Sequence, residues 1–308
     1  MVRNPKVVIN IVVVISLIVM PLVLPIQFVY WGMISYLGAI IALAFNVSYG
    51  YCRLFNFALS GFSMLGGYCT AIMIDKLNVP FIVALPISII FSILFARVLG
   101  TLLLRLRHWL FGLASLCFSM IISISVEQLL VPLTNGEDGI QLPALVVFGH
   151  TMGELFYYYL LFAVTVFCYY ISHIVWVSHI GRAMRAIGSN ETVAISVGTD
   201  VPNYLNLGFL ISAAFASLVG AIWVQASSWA SPKFFDLGFN IDGFTAAIVG
   251  GVGAPLGALV GGVIFFILPQ IFIAFEKYHI LFQGLVLVSI LRFLPLGIVG
   301  TLQSKYRR

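Results

Sequence analysis

The sequence predicts an all-α, polytopic membrane protein of about ten transmembrane segments, one of them broken and rich in glycine. Three observations predict it. Of 308 residues, 62% are hydrophobic and 8% charged, where a soluble domain carries roughly 25% charged residues. So few charges cannot cover the apolar surface of a soluble fold of this length, and the bilayer must act as solvent. The apolar residues fall in runs of roughly 20, the length of a helix that crosses a bilayer. The positive charges gather in a few loops between those runs, the pattern that sets orientation in a membrane. The 28 glycines suit helices that pack closely in lipid.

Taken in order, the first run spans 7–25 behind Arg3 and Lys6. No small-x-small cleavage site follows it directly, and Pro21 and Pro25 interrupt its end, so it reads as an uncleaved span. Further runs lie at 31–48, 56–74, 80–104, 109–132, 155–177, 203–225 and 280–300. The stretch 240–275 is apolar but interrupted between Gly250 and Pro255, which allows one long span, two spans, or a half-helix and a span. Charge arbitrates. With the N-terminus cytoplasmic and the broken stretch counted as two segments, Arg3, Lys6, Arg53, Arg105, Arg107, Arg182, Arg185, Lys305, Arg307 and Arg308 are inside. Only Lys76, Lys233 and Lys277 are outside, and Arg97 and Arg292 can snorkel to the inner surface. The chain 1–308 is then a single transmembrane domain with both termini inside, an outer loop at 133–153 and an inner loop at 178–202.

Chemistry is constrained mainly by what the sequence lacks. There is no G-x-x-x-x-G-K-[ST] and no Gly-Lys pair to cradle nucleotide phosphates. No nucleophile elbow or His/carboxylate cluster is visible, and Cys52, Cys69, Cys117 and Cys168 lack metal-ligand spacing. The expectation is a non-enzyme that holds no cofactor or metal, with no basic stripe for nucleic acid. An ion-coupled carrier buries acidic groups near the midplane. Here Glu127 and Asp242 fall toward the outer ends of their segments, which weighs against a self-sufficient carrier without excluding one.

Two segments carry polar stripes. Asn56, Ser60, Ser63, Gly67 and Thr70 recur at helical spacing, opposite Phe57, Leu59, Phe62 and Leu65. Gly112, Ser115, Ser119, Ser123 and Glu127 do the same on a later segment. In lipid, such a stripe faces other helices or a water-filled path. If it is a path, Asn56, Ser60, Ser63, Gly67, Ser115 and Ser119 are its candidate lining, suited to an uncharged or zwitterionic solute. Gly250, Gly251, Gly253, Gly257 and Gly261 form a packing motif whose last three members are a tandem G-x-x-x-G. In the inner loop, Gly188 ends one short helix, Ser189 or Asn190 caps another, and Gly198 ends that one. Ile180, Met184 and Ile187 share a face, with Arg182 and Arg185 off it. The loop is either a docking surface for a cytoplasmic partner or a membrane-surface helix.

Several stretches together resemble one family. Gly181-Arg-Ala-Met-Arg-Ala186, then Ala194 and Val197-Gly198, resembles the cytoplasmic loop of branched-chain amino acid ABC permeases. Asn56-Phe-Ala-Leu-Ser-Gly-Phe-Ser-Met-Leu-Gly-Gly-Tyr68, the glycine-rich run Phe244 to Gly262 and the closing Leu294-Pro-Leu-Gly-Ile-Val-Gly300 are similar to further motifs of that family. The likeness runs from about 31 to 302, leaving 7–25 as an extra span, and departs at Leu59, where the family usually has His. The resemblance implies one subunit of an importer in the bacterial inner membrane. Its partners would be a second permease, cytoplasmic ATPase subunits that hydrolyse ATP, and an external solute-binding protein. It also implies that the inner loop, through Gly181, Arg182, Ala183, Arg185, Ala186, Asn190, Glu191 and Gly198, couples to the ATPase. The family's relatives also import urea and short amides, so the resemblance leaves two substrate classes open.

Overall fold

A computed structural model describes residues 25–106, 108–147, 150–271 and 297–306, with isolated positions between 284 and 292. The expected first span apart from Pro25, most of the expected last span, and Arg3, Lys6, Arg107, Lys277, Arg307 and Arg308 lie outside the described residues. Five helices among the described residues are long and apolar enough to cross a membrane.

Two of these form the centre. Helix α1 (Ile26–Phe45) continues through a π-helical turn at Asn46–Tyr51. After it come α2 (Leu59–Asp75), α3 (Phe81–Leu103) and α4 (His108–Ile124), the last prolonged by a π-helical turn to Leu129. Then follow the one-turn α5 (Val131–Thr134), α6 (Glu154–Val177), α7 (His179–Ser189), α8 (Glu191–Ser196) and α9 (Val201–Ala226). Within their most apolar stretches, 78% of α1 and 72% of α9 is buried, against 22% of α3, 33% of α4 and 22% of α6. The last three therefore form the outer wall of the chain, and α1 and α9 the core.

The wall helix α3 shows how sequence selects a face. Ala84, Ser88, Ser92, Ala96 and Gly100 recur every fourth residue and are buried, while Ile87, Ile90, Leu94 and Val98 point away from the protein. Small residues at that spacing let α3 approach α9 closely, with van der Waals contact as the driving force between helices in lipid. The same device joins α2 to α9. A Cβ added at Gly66 would strike Ser217 of α9, and one added at Gly220 would strike the carbonyl of Ser63.

The broken stretch is two helices, α10 (Leu237–Gly250) and α11 (Pro255–Ile271). Gly251 (φ 115°) and Gly253 (φ 101°) sit between them in backbone conformations that side chains disfavour, so the interruption needs glycine. At 14 residues, α10 is ~21 Å long, shorter than a hydrocarbon core of roughly 30 Å. The expected polar segment at 56–74 also starts late. Arg53 turns the chain at φ 55°, and helix begins only at Leu59, so Asn56 precedes the helix instead of sharing its face.

Short strands close the end away from α7 and α8. β1 (Ile140–Gln141) pairs antiparallel with β4 (Trp229–Ala230), and β2 (Val146–Val147) with β3 (His150–Thr151). Tyr68 at the far end of α2 donates to the Ala230 carbonyl at 3.2 Å, tying α2 to this cap. At the opposite end, α7 and α8 form the two short helices expected of the 178–202 loop. The final described helix is α12 (Gly297–Tyr306).

Replacing Gly220 with Val should push α2 off α9, because the obstruction is backbone and cannot rotate away. We expect a loss of about 1–3 kcal/mol or more, read as a lower unfolding temperature in detergent, while Ile90→Ala on the outer face leaves it unchanged.

Candidate functional site

The helix α2 begins deep in the protein, beside Ser212 near the middle of the spanning helix α9. A helix start leaves backbone N–H groups without internal partners, and no water is at hand in a bilayer core to take them. Side chains from three other places do so. The Phe57 amide donates to Ser115 Oγ (3.0 Å), the Ala58 amide to Asn56 Oδ1 (3.0 Å), the Ser60 amide to Asn240 Oδ1 (3.0 Å) and the Gly61 amide to Ser119 Oγ (3.2 Å). These groups are themselves held. Asn56 Nδ2 donates to Ser212 Oγ (3.0 Å), Ser119 Oγ to the Phe57 carbonyl (2.7 Å) and Asn240 Nδ2 to Ser60 Oγ (2.6 Å). A matching contact serves the α10–α11 break, where the Gly253 amide donates to Asn46 Oδ1 at 2.7 Å.

Beside this start of α2 lies a cleft of about 200 Å³ between α2, α4 and α10. Ser60, Ser119, Ser123, Asn240 and Asp236 line its polar side, and Leu116 and Met120 are on its apolar side. The two polar stripes thus meet there through Ser60 on one and Ser119 and Ser123 on the other. Ser123 Oγ donates to Glu127 Oε1 at 2.9 Å, continuing the polar line along α4. Asp236 accepts from the Phe239 amide (3.0 Å) as the N-cap of α10, a favourable place for a carboxylate.

The remaining stripe residues go elsewhere. Ser63 Oγ donates to the Ala216 carbonyl of α9 (2.9 Å), Gly67 abuts Gly220, and Thr70 Oγ1 donates to the Gly66 carbonyl (2.8 Å). Asn56 and Ser115 are buried in the cap and do not line the cleft. In the glycine motif, Gly250, Gly257 and Gly261 hold α10 and α11 backbone to backbone, since a Cβ at any of the three would strike main chain. The sequence reading missed Asn46, Asp236, Asn240 and Ser212. A carboxamide inside an apolar segment is itself a signal that a buried partner awaits it, but spacing along one segment does not reveal which segment supplies it.

The loop at 178–202 has two sides. Inward, Met184 and Ile187 are buried and Ile180 half-buried, and Gly181 lies so near α6 that a Cβ would strike the Val175 carbonyl. Ser178 caps α7 by accepting from the Gly181 amide (3.3 Å), and Asn190 caps α8 by accepting from the Val193 amide (3.1 Å). Arg182 Nη1 donates to the Val177 carbonyl (3.0 Å) and Arg185 Nη1 to the Trp176 carbonyl (2.8 Å), with the Arg185 guanidinium 3.8 Å from the centre of the Trp176 ring. Both arginines therefore close the C-terminus of α6, where unpaired carbonyls and the helix dipole favour cations. Burial lowers the Arg185 pKa from its ordinary value; the nearby Tyr51 opposes this and Arg182 adds to it. Outward, Ala186 and Gly198 (φ 81°) are exposed and Ala183 and Glu191 half-buried. The outward surface is dominated by Val193 (56% exposed), Ile195 (58%) and Val197 (74%).

Interrupted helices beside a polar-lined cleft, among helices long and apolar enough to cross a membrane, suit a membrane-embedded permease. The chain belongs to the family described as the branched-chain amino acid transport system / permease component, whose model matches residues 13–291. It is 27% identical over 289 residues to the high-affinity branched-chain amino acid transport system permease protein LivH of Escherichia coli K12, covering 85% of this chain and 91% of that one. It is 23% identical to the corresponding permease protein LivM of Salmonella typhimurium, covering 84% and 67%, and 24% identical to BraD of Pseudomonas aeruginosa, covering 85% and 91%. No solved structure matches.

Replacing Asn240 with Leu removes the partner of the Ser60 amide and hydroxyl together. We expect a stability loss of about 1–3 kcal/mol for each group left unsatisfied, measured by thermal unfolding of the purified protein, with partial recovery in Asn240→Gln.

Proposed function

We propose that this chain is the membrane-spanning subunit of an ATP-driven importer that translocates branched-chain or related amino acids delivered by an external binding protein. The cleft carries this reading. Its polar side offers neutral donors and acceptors from Ser60, Ser119, Ser123 and Asn240, and the carboxylate of Asp236 can attract an ammonium group. Leu116 and Met120 give an apolar surface for an aliphatic side chain. A zwitterion with an aliphatic side chain suits such a two-sided site, and the similarity to permeases named for branched-chain amino acid transport supports it.

In this reading the chain lies in a bacterial inner membrane as one domain of about ten segments with both termini cytoplasmic, beside a second permease. ATP is hydrolysed in separate cytoplasmic subunits that dock on the α7–α8 loop. Three exposed β-branched residues on a short loop offer apolar contact points that a protein partner would cover. Those residues, more than Arg182 and Arg185, would provide the contact, because the arginines already serve α6. Nucleotide-driven movement of the docked subunits would then reach the helices through α7.

Uptake of labelled leucine by cells with and without this gene tests the role. We expect deletion to remove a component that vanishes on ATP depletion with ion gradients held. Unchanged uptake would exclude leucine and direct the same assay to urea and short amides, whereas a lost component that survives ATP depletion would exclude the ATP-driven mechanism. Docking has its own test. Val193→Asp with Ile195→Asp should weaken co-purification of the ATPase subunits roughly 30-fold, the effect of a ~2 kcal/mol hot spot, without impairing membrane insertion.

A further inference from the structure

The polar line on α4 stops abruptly. Ser123 and Ser119 line the cleft, but one turn nearer α7 Ser115 is covered by the Phe57 amide, and Gly112 lies against Phe55, to whose Cβ a methyl at Gly112 would come within 3.3 Å. The opposite wall behaves alike. On α10, Asn240 lines the cleft, and Phe244, one turn or ~6 Å further along, packs on Phe57 (5.8 Å between ring centres), Phe55 (6.0 Å) and Tyr49 (5.2 Å). Tyr49 and Phe55 complete the group at 4.6 Å. Aromatic rings therefore pack together about one turn beyond the cleft-lining residues of both α4 and α10.

Two features separate this cluster from ordinary core. Phe45 behind it is 1% exposed, but Phe55 is 37% exposed and Tyr49, Phe57 and Phe244 are only partly buried, so the cluster has an open side. The exposed Arg53 lies over the Tyr49 ring at 5.5 Å, which puts a charged group against that side. The cluster is also built on interrupted backbone: the π-helical turn Asn46–Tyr51 and the non-helical residues before α2. Segments of this kind can shift without breaking a continuous helix.

The same backbone touches the docking loop. A Cβ at Gly188 of α7 would lie 2.6 Å from the Tyr51 carbonyl oxygen and 3.1 Å from Arg53 Cγ. Tyr51 shares a hydrogen bond of 2.8 Å with Ser172 Oγ of α6 and packs on Trp176 (5.4 Å), the ring that carries Arg185. Contact thus runs from α7 through Tyr51 and Arg53 to Phe55.

We propose that Tyr49, Phe55, Phe57 and Phe244 form the inner gate of the solute path, closed in this structure, and that α7 opens it through the 51–55 segment. This rests on reading the cleft as part of that path. The gate blocks the path by filling it with rings, and the ATPase subunits reach it by moving a helix that lies directly against its backbone.

The test uses the complete transporter in membrane vesicles of both orientations. Leu116→Cys in a Cys117→Ser background places a thiol in the cleft, and its reaction with a membrane-impermeant maleimide is timed against the same protein lacking that thiol. We expect reaction from the outer side and protection from the inner side. Phe55→Ala, at the open edge, and Phe244→Ala should each raise the inner rate about tenfold or more as the open population grows. Phe244→Leu, which keeps much of the volume, should not, and it controls for loss of fold. ATP should raise the inner rate in the unaltered rings, and Gly188→Val should abolish that response while the ATPase subunits still co-purify. An inner rate indifferent to both alanine variants, or a thiol unreactive from both sides throughout, would overturn the gate. An ATP response intact in Gly188→Val would overturn the route through α7. Leucine transport is scored separately in the same vesicles, so a chain that carries no leucine but shows this labelling keeps its gate and loses its substrate.

Discussion

The structure depends on one constraint: every backbone amide exposed by an interrupted helix inside the bilayer must find a partner within the protein. Among the described residues, helices are interrupted before α2 and between α10 and α11. The polar residues within the apolar segments are placed accordingly. Asn56, Ser115, Ser119 and Asn240 receive the amides at the start of α2, and Asn46 receives the amide of Gly253 at the other break. A buried carboxamide can accept from a backbone amide and donate onward at once, as Asn56 and Asn240 do at the start of α2. Each hydrogen bond of this kind gains only about 0.5–1.5 kcal/mol net, but leaving its buried group unpaired costs more. The joints are therefore more effective at excluding other arrangements than at adding stability.

Close packing follows from the same requirement. A serine on α4 can reach the amide of Gly61 only if helices approach closely, and glycines permit this between α2 and α9 and between α10 and α11. A methyl at Gly220 or Gly261 would separate elements whose hydrogen bonds need them near. Small residues and polar caps are thus two parts of one arrangement. The wall helix α3 joins it with a small-residue stripe and turns its large aliphatic side chains outward.

Much of this was legible in the sequence because it is local. Run length and low charge gave membrane-spanning helices, glycines at 250 to 253 gave the break, and Asn190 and Gly198 gave the limits of α8. Gly188, however, does not end α7 but lies in its last turn, and the helix runs to Ser189. What was not legible depends on contacts between distant segments. The Asn56 stripe read as one helical face, but the turn at Arg53 removed Asn56 from the helix, and Ser63 and Gly67 turned toward α9 while Ser60 turned toward the cleft. Nothing in the spacing of residues 56–70 distinguishes a serine facing a neighbouring helix from one facing open space. The carbonyls that Arg182 and Arg185 serve, at Val177 and Trp176, could not be read from the loop sequence, because they belong to the end of α6.

The conjunction of joint and cleft bears on how a permease of this design handles solute. Ser60, Ser119 and Asn240 line the cleft and are also tied to the start of α2: Asn240 Oδ1 and Ser119 Oγ accept backbone amides, and Ser60 Oγ accepts from Asn240 Nδ2. If the cleft is part of the proposed path, a solute there would meet polar atoms held in place by the backbone and would compete with bonds the fold needs. Such a surface can wet a solute without gripping it, because tight binding would require these groups to leave their backbone partners. Weak, fixed polarity favours passage over retention. The polar side chains of this cleft hold the helices together, so in the proposed importer selection would fall to the external binding protein before entry.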